Sequence, residues 1–228
     1  MRVRDGGPIV TVDGPAGAGK STVARKMAQR LGFLYLDSGA MYRALAFKAL
    51  QHGIDLRDES QLAGLLESSQ IDLVGNGRHE PQVWLDGEDV TDLLRTPEVN
   101  ASVSLVAGFR MVREEMVRRQ RSLASVGRVV MDGRDIGTYV LPDATVKFFL
   151  TASLAARARR RLNDLLALGF HPDLEALGEE IRHRDALDAS REVGPLRQAE
   201  DAIVIDTTDM EVDRVVDMMV AYFRQRVS

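Results

Sequence analysis

The chain has no cysteine in its 228 residues. That excludes a disulfide framework and any thiolate metal site, and it fits a reducing compartment. No apolar run approaches the roughly 18–20 residues that a bilayer span needs. The opening MRVRDGGP has no apolar core of the kind a secretory leader carries. A cytoplasmic protein with no membrane partner is therefore expected. Strong charge of one sign is missing too. The net charge of −4 gives no bulk attraction to nucleic acid, so no nucleic-acid partner is expected. Lysine is scarce. Of 30 basic residues only Lys20, Lys26, Lys48 and Lys147 are lysines, and the other 26 are arginines. A genome-wide compositional bias would give this, and so would a need for guanidinium forks on phosphates.

The chain length suits one α/β domain with insertions, or two small domains. Ile9–Val12 is a short β-branched run that ends in a glycine turn. Ser21–Leu31 then reads as a helix, with Val23, Met27 and Leu31 on one face and Gly32 as its stop. Phe33–Leu36 reads as a buried strand, and Ala40–Gln51 as a helix closed by Gly53. Strand, loop, helix, strand, helix is a parallel α/β opening. Between Ile71 and Val90 the period changes to two, with turns at Gly75-Asn-Gly77 and Asp86-Gly87. This predicts a small antiparallel sheet inserted in a parallel fold. Asn100–Ser122 reads as one long helix. Arg128–Asp132, Thr145–Leu150 and Ala202–Asp206 read as further strands, and Ser153–Arg197 as an Arg-rich helical region.

Gly14-Pro-Ala-Gly-Ala-Gly-Lys20-Ser21 fits G-x-x-x-x-G-K-[ST], placed between a strand and a helix. In that context backbone N–H groups cradle phosphates and the helix N-terminus adds its dipole. Lys20 would reach the β- and γ-phosphates, and the Ser21 hydroxyl would ligate Mg²⁺. The loop says that a triphosphate is held, and not what it is used for.

Three uses compete. A guanine-reading Asn-Lys-x-Asp stretch is absent, since none of Asn76, Asn100 and Asn163 precedes a lysine. Asp72-Leu-Val-Gly75 fits a D-x-x-G switch pattern, but it falls in the inserted sheet. A motor would end an apolar strand in acidic residues, which Val129-Val-Met-Asp132 does in part. A small-molecule kinase works by positioning and charge, so it needs arginines that converge on the loop. Arg157, Arg160 and Arg161 share one predicted helix, and Arg184, Asp188 and Arg191 share one face of another. A salt-bridged solvated surface would give the same runs. A hydroxyl acceptor would need a general base. His52, His79, His171 and His183 show no catalytic spacing, which favours an acceptor that is already anionic.

The chain resembles the bacterial cytidylate kinases, among the nucleoside-monophosphate kinases, nearly end to end. The residues that carry the resemblance are Asp13–Thr22, Leu36-Asp-Ser-Gly-Ala-Met-Tyr-Arg43, Val112-Arg113, Arg118-Arg-Gln-Arg121, Asp132-Gly-Arg-Asp-Ile-Gly-Thr138 and Pro142-Asp-Ala144. The resemblance implies an α/β phosphate-loop kinase with a five-stranded parallel core, a monophosphate-binding subdomain that holds the small antiparallel sheet, and a mobile helical lid. It puts the core at 8–40, 106–152 and 195–228, the monophosphate-binding subdomain at 41–105 and the lid at 153–194. It implies ATP-dependent phosphorylation of CMP and dCMP with Mg²⁺, by a monomer.

By the same resemblance ATP would lie on Gly14, Pro15, Ala16, Gly17, Ala18, Gly19, Lys20, Ser21 and Thr22. CMP would lie on Ser38, Arg43, Ser104, Arg113, Asp132, Arg134, Asp135, Asp188 and Arg191, with Asp132 supporting the ribose or the metal. Lys20, Arg157, Arg160 and Arg184 would be catalytic, the arginines belonging with Arg161 to the lid. Ser38 also suits the N-cap of the helix after it, Asp135 suits a structural pair with Arg134 or a lid arginine, Arg43 and Arg121 suit an ordinary surface, and Tyr42 suits core packing. Ala16 stands where some members have serine, and Ser21 where some have glycine. Around Asp185-Ala-Leu-Asp188 the chain is more apolar than its relatives. A kinase for a small hydroxyl substrate, similar to shikimate kinase, and a slow nucleotide-hydrolysing regulator are the alternatives. The first would carry a second aspartate where Gly39 stands.

Overall fold

A computed structural model describes residues 6–75 and 81–227. The expected turn residues Asn76 and Gly77, and His79, lie outside that range. Five parallel strands form the central sheet: β1 (Ile9–Asp13), β2 (Leu34–Asp37), β6 (Val129–Gly133), β7 (Val146–Thr151) and β8 (Ile203–Asp206), in the order β2-β6-β1-β7-β8. A second sheet of β3 (Ile71–Val74), β4 (Gln82–Leu85) and β5 (Glu88–Asp89) is antiparallel and sits apart. Eight helices complete the described chain: α1 (Lys20–Leu31), α2 (Ser38–Gln51), α3 (Glu59–Glu67), α4 (Pro97–Val106), α5 (Arg110–Ala124), α6 (Leu154–Ala167), α7 (Leu174–Ser190) and α8 (Val212–Val227).

Strand alternation assigns the two faces of the sheet. Val10, Val12, Val130 and Phe148 point to one face and pack on Met27 of α1 and Met219 of α8. Ile9, Leu36, Val129 and Met131 point to the other and meet Val117 and Ala124 of α5. A third apolar cluster lies outside the sheet. There α2 packs its Ala44, Leu45 and Ala49 against Leu62 and Leu66 of α3, Val83 and Leu85 of β4, and Val103 of α4. Strands β1 and β6 are buried on both faces, so their sequences are nearly all apolar, whereas the edge strand β8 leaves Val204 exposed.

Three readings change with the structure. The helix expected over Asn100–Ser122 is two helices, α4 and α5, broken at Ala107–Phe109. Gly108 has little helix propensity, and Phe109 leaves the helix with an extended backbone, φ −75° and ψ 134°. The break frees the Ala107 carbonyl, and Arg113 donates to it at 3.2 Å. The N-cap of α2 is Asp37, whose carboxylate accepts the Ala40 N–H at 3.0 Å, so Ser38 is the first helical residue and not the cap. The Arg-rich region holds the two expected helices, α6 and α7, but Arg191 lies just past the end of α7 with an extended backbone and not on its helical face. Helix α3 had no counterpart in the expectation, though Asp58 caps it from the Gln61 N–H at 3.0 Å.

The cluster around α2 is buried from solvent, Leu45 completely. Leu45→Ala there is expected to cost about 2–5 kcal/mol of unfolding free energy, while Leu105→Ala on the exposed side of α4 should stay within about 0.5 kcal/mol. Urea denaturation of both variants checks this contrast.

Candidate functional site

All five parallel strands run in the same direction, so their carboxyl ends meet at one edge. That edge is where an open α/β sheet offers a crevice. A cleft of about 940 Å³ opens there. Its floor is the loop after β1, its walls are the starts of α1 and α2 and the segment after β6, and its cover is α6 and α7.

The loop after β1 owes its shape to glycine. Gly14, Gly17 and Gly19 have φ of 145°, 75° and 84°, a region that other residues rarely adopt. A Cβ on Gly14 would fall 2.0 Å from the Leu150 carbonyl oxygen. The loop delivers Lys20 to the N-terminus of α1, where the ammonium is buried and donates to the Pro15 carbonyl at 2.7 Å. Burial, then the charges of Arg134 and Arg184, pull Lys20 well below the usual lysine range, while Asp132 and Asp188 oppose that pull.

Asp132 ends β6 and ties three elements together. Its carboxylate accepts from Ser21 Oγ at 2.8 Å and from Tyr35 Oη at 2.8 Å, and its carbonyl accepts from Ser38 Oγ at 2.6 Å. Burial, with Asp37 nearby, pushes it up to about 6. The Ser21 hydroxyl and the Asp132 carboxylate are hard oxygen donors in mutual reach. Among the described residues no cluster of three or more His, Asp or Glu side chains is placed to hold a metal ion. This donor set fits Mg²⁺, which takes one or two protein oxygens and completes its shell with phosphate and water.

On the other wall the arginines are paired with carboxylates. Arg113 and Asp135 form a buried ion pair, so Asp135 is not paired with Arg134. Arg134 donates to Asp188 at 2.7 Å, and Arg191 takes the other oxygen of the same carboxylate. Burial alone would raise Asp188, but Arg134, Arg191 and Arg184 together hold it below the usual carboxylate range. Arg43 donates to Asp37 at 2.6 Å. Arg184 has no carboxylate of its own at ion-pair distance among the described residues. Burial, then the charge of Arg134, lowers it to about 10. At the back of this wall Asp13 accepts the Ile136 N–H at 2.9 Å and the Gly137 N–H at 2.7 Å. Burial pushes it up to about 7 against those two bonds.

The cleft gathers most of the expected residues. Ala16 to Thr22, Ser38, Arg43, Arg113, Asp132, Arg134, Asp135, Arg160, Arg161, Arg184, Asp188 and Arg191 all line it. Gly14 and Pro15 do not line it. Ser104 is buried on α4, one position past the lining Val103, and its hydroxyl has no hydrogen-bond partner among the described residues. Tyr42 lines the cleft and packs with the α2 core, with the Arg113 guanidinium 5.7 Å from its ring centroid. Arg157 does not line the cleft. It is buried, donates to the carbonyls of Ala16 and Ala152, and pairs with Asp185.

Sequence reasoning missed one wall. Thr207, Thr208, Asp209 and Met210, between β8 and α8, also line the cleft. Arg160 donates to Thr207 Oγ1 at 3.0 Å. The available signal was their position at the carboxyl end of a parallel strand.

Comparison with known proteins places this geometry in a family. The family model described as cytidylate kinase matches residues 10–225. A cytidylate kinase of Geobacillus kaustophilus is 53% identical over 218 residues, 96% of this chain and 97% of that protein. A cytidylate kinase of Pelotomaculum thermopropionicum is 52% identical over 214 residues, 94% and 95% of the two chains. Among solved structures, a gluconokinase from Sinorhizobium meliloti is 14% identical, with a TM-score of 0.52 and coverage of 100% of this chain and 95% of that one. That likeness concerns the phosphate-loop kinase fold alone. With the family model spanning nearly the whole sequence and the relatives matching end to end at half identity, the chain belongs to the cytidylate kinase family.

Proposed function

We propose that the cleft catalyses ATP + CMP (or dCMP) ⇌ ADP + CDP (or dCDP), in the cytoplasm, with the loop after β1 as the donor site and the arginine wall as the acceptor site. One observation carries this reading. Lys20, Arg134 and Arg184 line one cleft, where the charges of Arg134 and Arg184 lower Lys20 and that of Arg134 lowers Arg184, while Asp188 holds Arg134 up. Bound phosphate groups relieve that repulsion, and two polyanions meeting end to end relieve it best.

The proposed chemistry needs no general base, because the acceptor phosphate is already anionic. One of its oxygens forms the new bond to the γ-phosphorus as the bond to the β,γ-bridging oxygen breaks, and ADP leaves with that electron pair. A magnesium ion arriving with the triphosphate would be held by Ser21 and Asp132 and would offset charge on the β- and γ-phosphates. Lys20 and Arg184 hold charge on the transferring group, and Arg160 adds to it from α6. Arg157 acts one layer back, fastening α6 to the donor loop through the Ala16 carbonyl. Arg113 and Arg134 hold the acceptor phosphate. Ser38 and Arg43 set the near end of its path. Ser104, Asp135, Asp188 and Arg191 take the sugar and base. Thr207 to Met210 border the donor's nucleoside. Residues 153–194 close as the lid and exclude water, and 41–105 carry the acceptor grip. The enzyme acts as a monomer.

Assay of CMP, dCMP, UMP, AMP and shikimate as acceptors, with thermal shift on the same panel, tests the assignment. Turnover and stabilisation are expected with CMP and dCMP, rising with ligand concentration by mass action. A protein that responds to no monophosphate would sink it. Arg134→Ala should raise the KM for CMP by about 10–100-fold, the loss of a charge-assisted hydrogen bond. The KM for ATP should move far less, and equal shifts would place this arginine elsewhere. Arg157→Met should lower the free protein's stability by about 2–4 kcal/mol, because it strands Asp185 and a loop carbonyl. Arg160→Met should change stability by under about 1 kcal/mol and act on turnover instead. Urea melts paired with steady-state rates separate the two arginines.

A further inference from the structure

Asp135 faces a local competitor for its carboxylate. It sits at the N-cap position of a wide helical turn, Ile136–Val140, in which Val140 and Leu141 donate to Asp135 and Ile136 carbonyls at 3.1 and 2.7 Å. Such a turn leaves its first N–H groups without partners inside it. Aspartate at the N-cap position ordinarily folds back and accepts them. Here the Asp135 side chain makes no cap bond, and its carboxylate is turned to Arg113.

The missing cap comes from another strand. Asp13 is the last residue of β1, and it points to the same sheet face as Ile9 and Thr11, the face the turn covers. Both its oxygens are used there, Oδ1 for the Ile136 N–H at 2.9 Å and Oδ2 for the Gly137 N–H at 2.7 Å. Its backbone is held on both sides, in register with Gly133 of β6 and Phe149 of β7. The turn is pressed close against this strand. A Cβ on Gly137 would meet Thr11 Oγ1 at 2.8 Å, Lys147 Cδ at 3.1 Å and Asp13 Oδ2 at 3.2 Å. The Lys147 ammonium itself points away, to Asp201 at 2.8 Å. From the opposite side Gly194 closes on the Arg113–Asp135 pair so tightly that a Cβ there would fall 2.1 Å from Asp135 Oδ2.

We propose that Asp13 is a positioning residue for the acceptor: it caps the turn Ile136–Val140 from the neighbouring strand and so leaves Asp135 free to stay on Arg113 in the acceptor pocket. This rests on the assignment of Arg113 and Asp135 to the acceptor. The same residue immediately precedes Gly14, so one carboxylate links the root of the donor loop to the acceptor wall.

Asp13→Asn keeps the volume but offers one acceptor where two N–H groups need one. The nearest substitute cap is Asp135, and taking that role draws it off Arg113. Steady-state kinetics of Asp13→Asn, Asp135→Asn and the double variant test this. Asp13→Asn should raise the KM for CMP about tenfold and the KM for ATP less than about twofold. Asp135→Asn alone should also raise the KM for CMP about tenfold, and adding Asp13→Asn to it should add less than about threefold, since both act through one group. Equal shifts in the two KM values, or effects of the two substitutions that multiply in full, would make Asp13 a framework residue and overturn the proposal. A normal KM for CMP in Asp13→Asn beside a raised one in Asp135→Asn would overturn it and leave the acceptor assignment standing. A normal KM for CMP in Asp135→Asn would bring down both. Should Asp13→Asn not fold, Asp13→Glu keeps both oxygens one methylene further out and carries the same expectation.

Discussion

The end of β6 is the point on which the cleft depends. There one buried carboxylate, Asp132, receives Ser21 from the donor loop and Tyr35 from β2, while its carbonyl receives Ser38 from the start of α2. The loop after β1 and the start of α2 are thus referred to a single residue at the carboxyl end of a strand in the parallel sheet. A transfer that works by positioning needs such a common reference. Burial raises the pKa of that carboxylate and so disfavours its charge, while Lys20 and the hydroxyl donors Ser21 and Tyr35 favour the ionised form, as an arriving cation would.

Around that point the charges are arranged in unequal portions. On the proposed acceptor wall every one of these arginines already has a carboxylate, Arg113 on Asp135 and both Arg134 and Arg191 on Asp188. The donor side does not. Lys20 has only carbonyl and distant carboxylate support, and Arg184 lacks a carboxylate partner at contact distance among the described residues. An anionic ligand at the wall must therefore trade with an existing carboxylate, whereas an anion at the donor side meets bare charge. Buried pairs of this kind add little to stability but hold side-chain geometry.

Much of this was legible in the sequence because it is local. The phosphate loop is eight contiguous residues whose glycine positions are set by the backbone they must adopt. The strands announced themselves as short β-branched runs, and the change of period after Ile71 gave the small antiparallel sheet. What failed was also local in origin. The apolar pattern of α4 continues into α5 in phase closely enough to hide the break at Gly108. Helix α3 had its Asp58 cap and its Leu62 and Leu66 in plain view, and went unread because the segment is short. The wall at Thr207–Met210 has no chemical signature of its own and is defined by the end of a strand.

Taken alone, the sequence determined that the fold is parallel α/β with an insert, and it pointed to a triphosphate site after β1 with arginines as the counter-charge. These follow from backbone conformation and side-chain chemistry within a few residues of one another. Only the tertiary structure decided which arginine does what. Arg157 and Arg160 are three residues apart on one helix, yet one is buried behind the loop after β1 on the Ala16 carbonyl and the other lines the cleft, bonded to Thr207. It also decided that Asp135 keeps its carboxylate for Arg113, because the cap its position calls for is delivered by Asp13, 123 residues away in sequence to the Ile136 N–H it accepts. Partner choice among like side chains is settled by distance and burial, and neither is written in the spacing of residues along the chain.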